Sequence, residues 1–173
     1  MKSVARSLIA VSLFVGGIGV GVAAQKLSPS LYHDVSPQQA GKSLLDVALV
    51  QAGKGSWERI AVGRVLLLSG QKAEAQAIFD ALLNGRHVDS DLLRIARAHA
   101  EAGDWARAEP LYRRYLDANP DDETELAEAG AYYMLNGDRE AAERLFDRSF
   151  GIADEFWATL SAAGAYLGVA PQQ

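Results

Sequence analysis

Small and large apolar side chains recur four residues apart in this chain, and the motif they form returns at a nearly fixed distance. Gly103-Asp104-Trp105, Ala108, Tyr112, Leu116 and Pro120 are matched 34 residues later by Gly137-Asp138-Arg139, Ala142, Phe146 and Phe150. Toward the amino end, Gly70-Gln71-Lys72, Ala75, Phe79 and Leu83 fit at an offset of 33, and Ala40, Leu44 and Ala48 fit 35 residues before those. A step of four returns to the same face of a helix, so each copy predicts an amphipathic helix after its glycine. The glycine supplies the left-handed turn that ends a preceding helix, and Asp104 or Asp138 can cap the next one. The alanine lets two helices approach closely, and the aromatic one turn later fills the adjoining gap. A hairpin of this size cannot bury its apolar face alone, so consecutive copies must stack.

The abundance of alanine and the scarcity of β-branched and aromatic residues point the same way, to an all-α fold. The pattern resembles the tetratricopeptide repeat family, whose unit of about 34 residues is a helical hairpin. That resemblance covers residues 36–168 and implies an α-α superhelix of about three full repeats with flanking half-repeats. In the family's phase the repeats run 56–88, 89–122 and 123–153. Ala40 to Ala52 is then a leftover second helix, Asp154 to Leu167 a lone first helix, and 169–173 a tail. The chain departs from the family where the usual first-helix tyrosine is Leu66 and His99, being kept only as Tyr133. The closing proline is present only as Pro120, while Pro110 falls inside a second helix and removes a backbone hydrogen bond there.

The first 24 residues follow a different rule. Lys2 and Arg6 precede an uncharged run from Ser7 to Ala24. Such a run is a secretory signal, cut before Gln25 after Val22-Ala23-Ala24, or an uncleaved transmembrane anchor. Both readings keep Lys2 and Arg6 in the cytoplasm and export the remainder. Residues 25–35 contain Pro29 and lack a helical apolar period, and so form a linker. Ser36-Pro37 then reads as an N-cap followed by proline at the first helical position. For a bacterial source the expected location is the periplasm, soluble after cleavage or tethered to the inner membrane.

Charge and cysteine content exclude several classes of function. Lys2 and Arg6 are two of the 17 basic residues and none of the 22 acids precedes residue 25, so the remainder carries 15 basic against 22 acidic side chains. An acidic body disfavours nucleic acid and anionic lipid, which leaves membrane contact to the amino-terminal segment alone. The absence of cysteine removes thiol catalysis, disulfides and thiolate-bound metal.

The resemblance also implies a concave groove lined by the first helices. Carried over position by position, it selects Trp57, Ile60, Arg64 and Leu67 in the first copy. In the second it selects Ser90, Leu93, Arg97 and Ala100, and in the third Thr124, Ala127, Ala131 and Met134. Arg64 and Arg97 occupy equivalent positions, where two guanidinium groups either hold a partner's carboxylate or carbonyl or stand as solvated surface charges. The carboxyl-terminus clamp of some relatives is not expected, because Ile60, Leu93 and Ala131 replace its asparagine and lysine. Trp57 and Trp157, near the two ends, are read as packing caps.

Catalytic and metal motifs do not converge. His33, His87 and His99 have no second histidine at helical spacing, and His99 reads as a packing substitute for tyrosine. Gly53-Lys54-Gly55-Ser56 lacks the upstream glycine and the strand of a phosphate loop and reads as a helix break. Asp121-Asp122-Glu123 with Glu125 suits a helix start without calcium. No cofactor is implied. The expectation is a non-catalytic adaptor that binds a protein or peptide segment in its groove. The alternative is a structural or self-associating subunit of an envelope assembly, of pilus, secretion, outer-membrane assembly or cytochrome c maturation type, joined through apolar ends such as Phe156, Leu160 and Tyr166.

Overall fold

The computed structural model describes residues 27–172. The uncharged run from Ser7 to Ala24, read above as signal or anchor, lies outside the described residues. Among those described there are eight α-helices and no strand, and no helix is long and apolar enough to cross a membrane. A 3-10 turn over Pro29–Leu31 precedes α1 (Pro37–Ala52). Three hairpins follow, α2 (Ser56–Leu68) with α3 (Lys72–Leu83), α4 (Asp89–Glu101) with α5 (Trp105–Ala118), and α6 (Glu123–Leu135) with α7 (Arg139–Ile152). The array closes with α8 (Phe156–Tyr166). These are the repeat boundaries that the 33- to 35-residue phase implies, and the architecture is an α-α solenoid.

Each hairpin turns in the same way. Gly137 adopts φ 88°, and beyond it the Asp138 N–H donates to the Tyr133 carbonyl at 3.0 Å, which closes the end of α6. The equivalent bonds run from Gln71 to Leu66 and from Asp104 to His99, each at 2.8 Å. Thus the residue at the family's tyrosine position supplies the closing carbonyl whatever its side chain. Asp138 caps α7 by accepting from the Ala141 N–H at 3.0 Å. Asp104 does not cap α5. Its carboxylate instead accepts from Arg107 Nη1 at 2.9 Å, a charged donor that outcompetes the backbone amide. Ser36 accepts from the Gln39 N–H at 3.2 Å with Pro37 at the first helical position, as expected for the start of α1. Pro110 is accommodated within a continuous α5.

The core is divided as stacking requires. Each of three apolar clusters spans one hairpin and the first helix of the next, centred on Phe79, Tyr112 and Phe146. These aromatics fill space left by small residues one helix away. A Cβ added to Gly63 would stand 2.4 Å from Phe79, and one added to Gly130 would stand 2.7 Å from Phe146. The spacing of the first helices is not uniform, however. The pairs α2 with α4 and α6 with α8 come close along their backbones, the second through Ala127, Ala131, Ala158 and Ala162, whereas α4 and α6 stay farther apart.

Candidate functional site

The gap between α4 and α6 is bridged by charge. Arg97 on α4 donates from Nε to Glu128 Oε1 at 2.8 Å and from Nη2 to Glu128 Oε2 at 2.7 Å. The same Nη2 reaches both oxygens of Glu125, at 2.9 and 2.7 Å. From α5 the buried Tyr112 hydroxyl donates to Glu128 Oε1 at 2.8 Å. One cation therefore serves two carboxylates in a largely buried cluster. Burial by itself lowers the Arg97 pKa, but the hydrogen bond and charge of Glu128, with the charge of Glu125, carry it above its ordinary value. Burial raises Glu125 to about 7, helped by repulsion from Glu128 and opposed by Arg97. Burial and the neighbouring Glu128 also hold Tyr112 neutral, well above the usual phenol range, so that it acts as a donor.

One repeat earlier, Arg64 on α2 pairs with Glu101 on α4, through Nε to Oε2 at 2.6 Å and through Nη2 to Oε1. This pair is open to solvent. Both arginines that the sequence places on the groove thus already hold carboxylates of the following repeat.

Three cavities line the concave face. The first, about 430 Å³, is bounded by Trp57, Ile60, Ala61, Arg64, Arg94 and Arg97. The second, about 450 Å³, is formed by Arg64, Ala100, Glu101 and Tyr132 with Ala170 and Pro171. The third, about 270 Å³, lies among Arg97, Thr124, Glu128, Trp157, Leu160, Ser161 and Gly164, and residues 169–172 complete its wall. Of the groove residues carried over by resemblance, Trp57 and Arg64 are exposed, and Ser90, Arg97, Ala100, Thr124 and Met134 are half-buried. Ile60, Leu67, Leu93, Ala127 and Ala131 are buried against neighbouring helices. Ala131, the third-copy equivalent of Arg64 and Arg97, is where α8 closes onto α6.

The tryptophans depart from the sequence reading. Neither is a packed cap: Trp57 is 65% exposed and Trp157 is 54% exposed. The Arg94 guanidinium covers the Trp57 ring at 4.7 Å from its centroid, so a cation and an aromatic face share the first cavity. His99 does behave as core. It is 2% exposed, edge-on to Phe79 at 5.4 Å between ring centroids, and burial lowers its pKa. Among the described residues no group of three or more His, Cys, Asp or Glu side chains is arranged to hold a metal ion.

Sequence reasoning missed Glu101, Glu125, Glu128, Tyr112 and Tyr132 as parts of the groove, along with residues 169–172. The acidic partners of Arg64 and Arg97 lie 37, 28 and 31 residues downstream. None falls at the repeat period, so the phase carried no signal for them.

The tetratricopeptide repeat family model matches residues 92–126, which span most of α4, all of α5 and the start of α6. No curated protein and no solved structure matches the chain.

Proposed function

We propose that this chain, a tetratricopeptide repeat protein, is a non-catalytic adaptor of the cell envelope whose concave groove takes an extended segment of a partner protein. The observation that carries this reading is the set of three neighbouring cavities along the first helices, which share Arg64, Arg97, Ala170 and Pro171 as walls. They present the exposed Trp57, Trp157 and Leu160 beside charges that are already paired. Large exposed rings beside these cavities offer contact area at little cost in side-chain entropy, which suits peptide recognition. The envelope location is proposed from the basic residues Lys2 and Arg6 and the uncharged run from Ser7 to Ala24 that follows them, which together read as an export signal or anchor.

The test is affinity capture of the tagged full chain from its native envelope, comparing wild type with the double variant Trp57→Ala and Arg64→Glu. Both residues are exposed, so the fold tolerates their replacement. A partner recovered with wild type and lost with the double variant is expected. Equal recovery of the same partner would remove the groove from the reading.

A second reading is favoured by the far end of the array. Phe156, Trp157, Leu160, Tyr166 and Leu167 are all exposed on or beside α8. An apolar surface of this kind suits self-association of a structural subunit. Sedimentation over a range of concentrations separates the two, since a monomer at every concentration is incompatible with self-association.

A further inference from the structure

We infer that the segment after α8, Val169–Gln172, is an internal occupant of the groove that competes with the partner, and that the partner's segment shares its chemistry: extended, uncharged and proline-containing. The inference rests on the groove reading above and adds both an occupant and a specificity to it.

The chain leaves α8 by the device that closes the earlier first helices. Gly168 has φ 77°, and the Val169 N–H donates to the Gly164 carbonyl at 2.8 Å. In the three earlier copies this turn leads into a second helix on the back of the array. Here the following residues take no regular structure and run along the concave side. Ala170 precedes Pro171, which biases it toward an extended backbone. Val169–Gln172 complete the cavity around Arg97, Glu128 and Trp157, and Ala170 and Pro171 also wall the cavity formed by Arg64, Ala100, Glu101 and Tyr132. The segment therefore touches both cavities that flank the gap between α4 and α6. Pro171 is half-buried there while Val169, Ala170 and Gln172 are exposed.

Electrostatics explain why an uncharged segment fits. Nε and Nη2 of Arg97 are committed to Glu128 and Glu125, and Nε and Nη2 of Arg64 are held by Glu101. An incoming carboxylate would meet guanidinium charges already balanced by Glu101, Glu125 and Glu128, and an incoming cation would have to win Glu101 or Glu128 from an arginine in place. Val-Ala-Pro-Gln-Gln carries no side-chain charge and asks for neither. Among the described residues, the hydrogen bond from Val169 to Gly164 ties the start of the segment, and beyond it Pro171 makes the packing contact. Such an occupant is weak by itself, but its attachment gives it a local concentration in the millimolar range. A partner must therefore outbind a tethered competitor.

The chain contains no cysteine, so an introduced pair is the sole reactive pair. In the full chain, Ala100→Cys with Ala170→Cys should be joined internally by a short bismaleimide, whereas Ala73→Cys on α3 with Ala170→Cys should not. A fluorescent peptide of sequence Gly-Val-Ala-Pro-Gln-Gln with its carboxyl end amidated, and the dye on its amino end, is the binding probe. Cross-linking should weaken its binding at least about tenfold relative to the unlinked protein. Pro171→Asp, which sets a carboxylate beside Glu101, should release the segment and strengthen peptide binding by a similar factor. Failure of the groove pair to cross-link while both thiols react overturns the placement. Equal peptide affinity in all three proteins overturns the competition. If cross-linking leaves capture of the envelope partner unchanged while Trp57→Ala with Arg64→Glu abolishes it, this inference falls and the groove reading stands. If neither change affects capture, both fall.

Discussion

Arg97 and Glu128 grip each other through two parallel hydrogen bonds, at 2.8 and 2.7 Å, across the junction where the backbones of α4 and α6 stand apart. The pair reinforces the apolar cluster that Leu92, Leu93 and Ala96 form with Leu126 and Ala129 at this junction, and it lines the neighbouring cavity.

Without Glu128, Arg97 keeps Glu125 at Nη2 but loses the acceptor of its Nε, and the buried Tyr112 hydroxyl loses its acceptor as well. Glu128→Ala should therefore destabilise the protein by about 3 kcal/mol. Arg64→Ala, which breaks a solvent-exposed pair, should cost no more than about 1 kcal/mol. Urea denaturation of the two variants beside wild type checks the ordering, and equal midpoints would show that the buried cluster contributes nothing special. Charge reversal at Arg97 would gather three carboxylates in one buried site, which is why Arg64 is the better position for probing partners.

Acid stability should carry two opposed slopes. Glu125 is raised to about 7 in the fold, so the folded state holds a proton that the unfolded state releases, and stability falls as pH rises from about 4.5 to 7. His99 is lowered by burial, so the unfolded state takes up the proton first, and stability falls as pH drops below about 6.5. Glu125→Gln should leave a midpoint that rises with pH between 5 and 7. His99→Leu, which installs the residue the first copy uses at Leu66, should leave one that falls. Parallel slopes in both variants would contradict these assignments.

Two glycines should respond in opposite directions to the same substitution. Gly130→Ala drives a methyl into Phe146 and should cost about 1–3 kcal/mol. Gly41→Ala, inside α1 with open space around it, should gain about 0.5–1 kcal/mol from the better helix former. Thermal melts of the two variants provide the comparison.

Pro110 interrupts the hydrogen-bond ladder of α5 on an exposed face. Pro110→Ala should restore a bond to the carbonyl four residues earlier and stabilise the protein by about 1–3 kcal/mol. An unchanged or lower denaturation midpoint would mean that the proline ring packs usefully against its neighbours.

The sequence by itself determined the helices and their order. Gly103, Ala108 and Tyr112 return as Gly137, Ala142 and Phe146 because turning a helix and filling the gap beside it are local tasks, repeated in every hairpin. It also picked out Trp57, Arg64, Arg97 and Ala100, which line cavities between the first helices. Only the tertiary structure decided what the groove holds. How far Ile60, Leu93 and Ala131 sink into the core depends on the separation of successive first helices, and that separation varies with side chains on both sides of each junction. The partners of Arg64 and Arg97 stand out of phase with the repeat, since an ion pair between copies needs proximity across a gap and not a shared period. The course of residues 169–172 depends likewise on a trough that four helices build together, which no local pattern in those residues encodes.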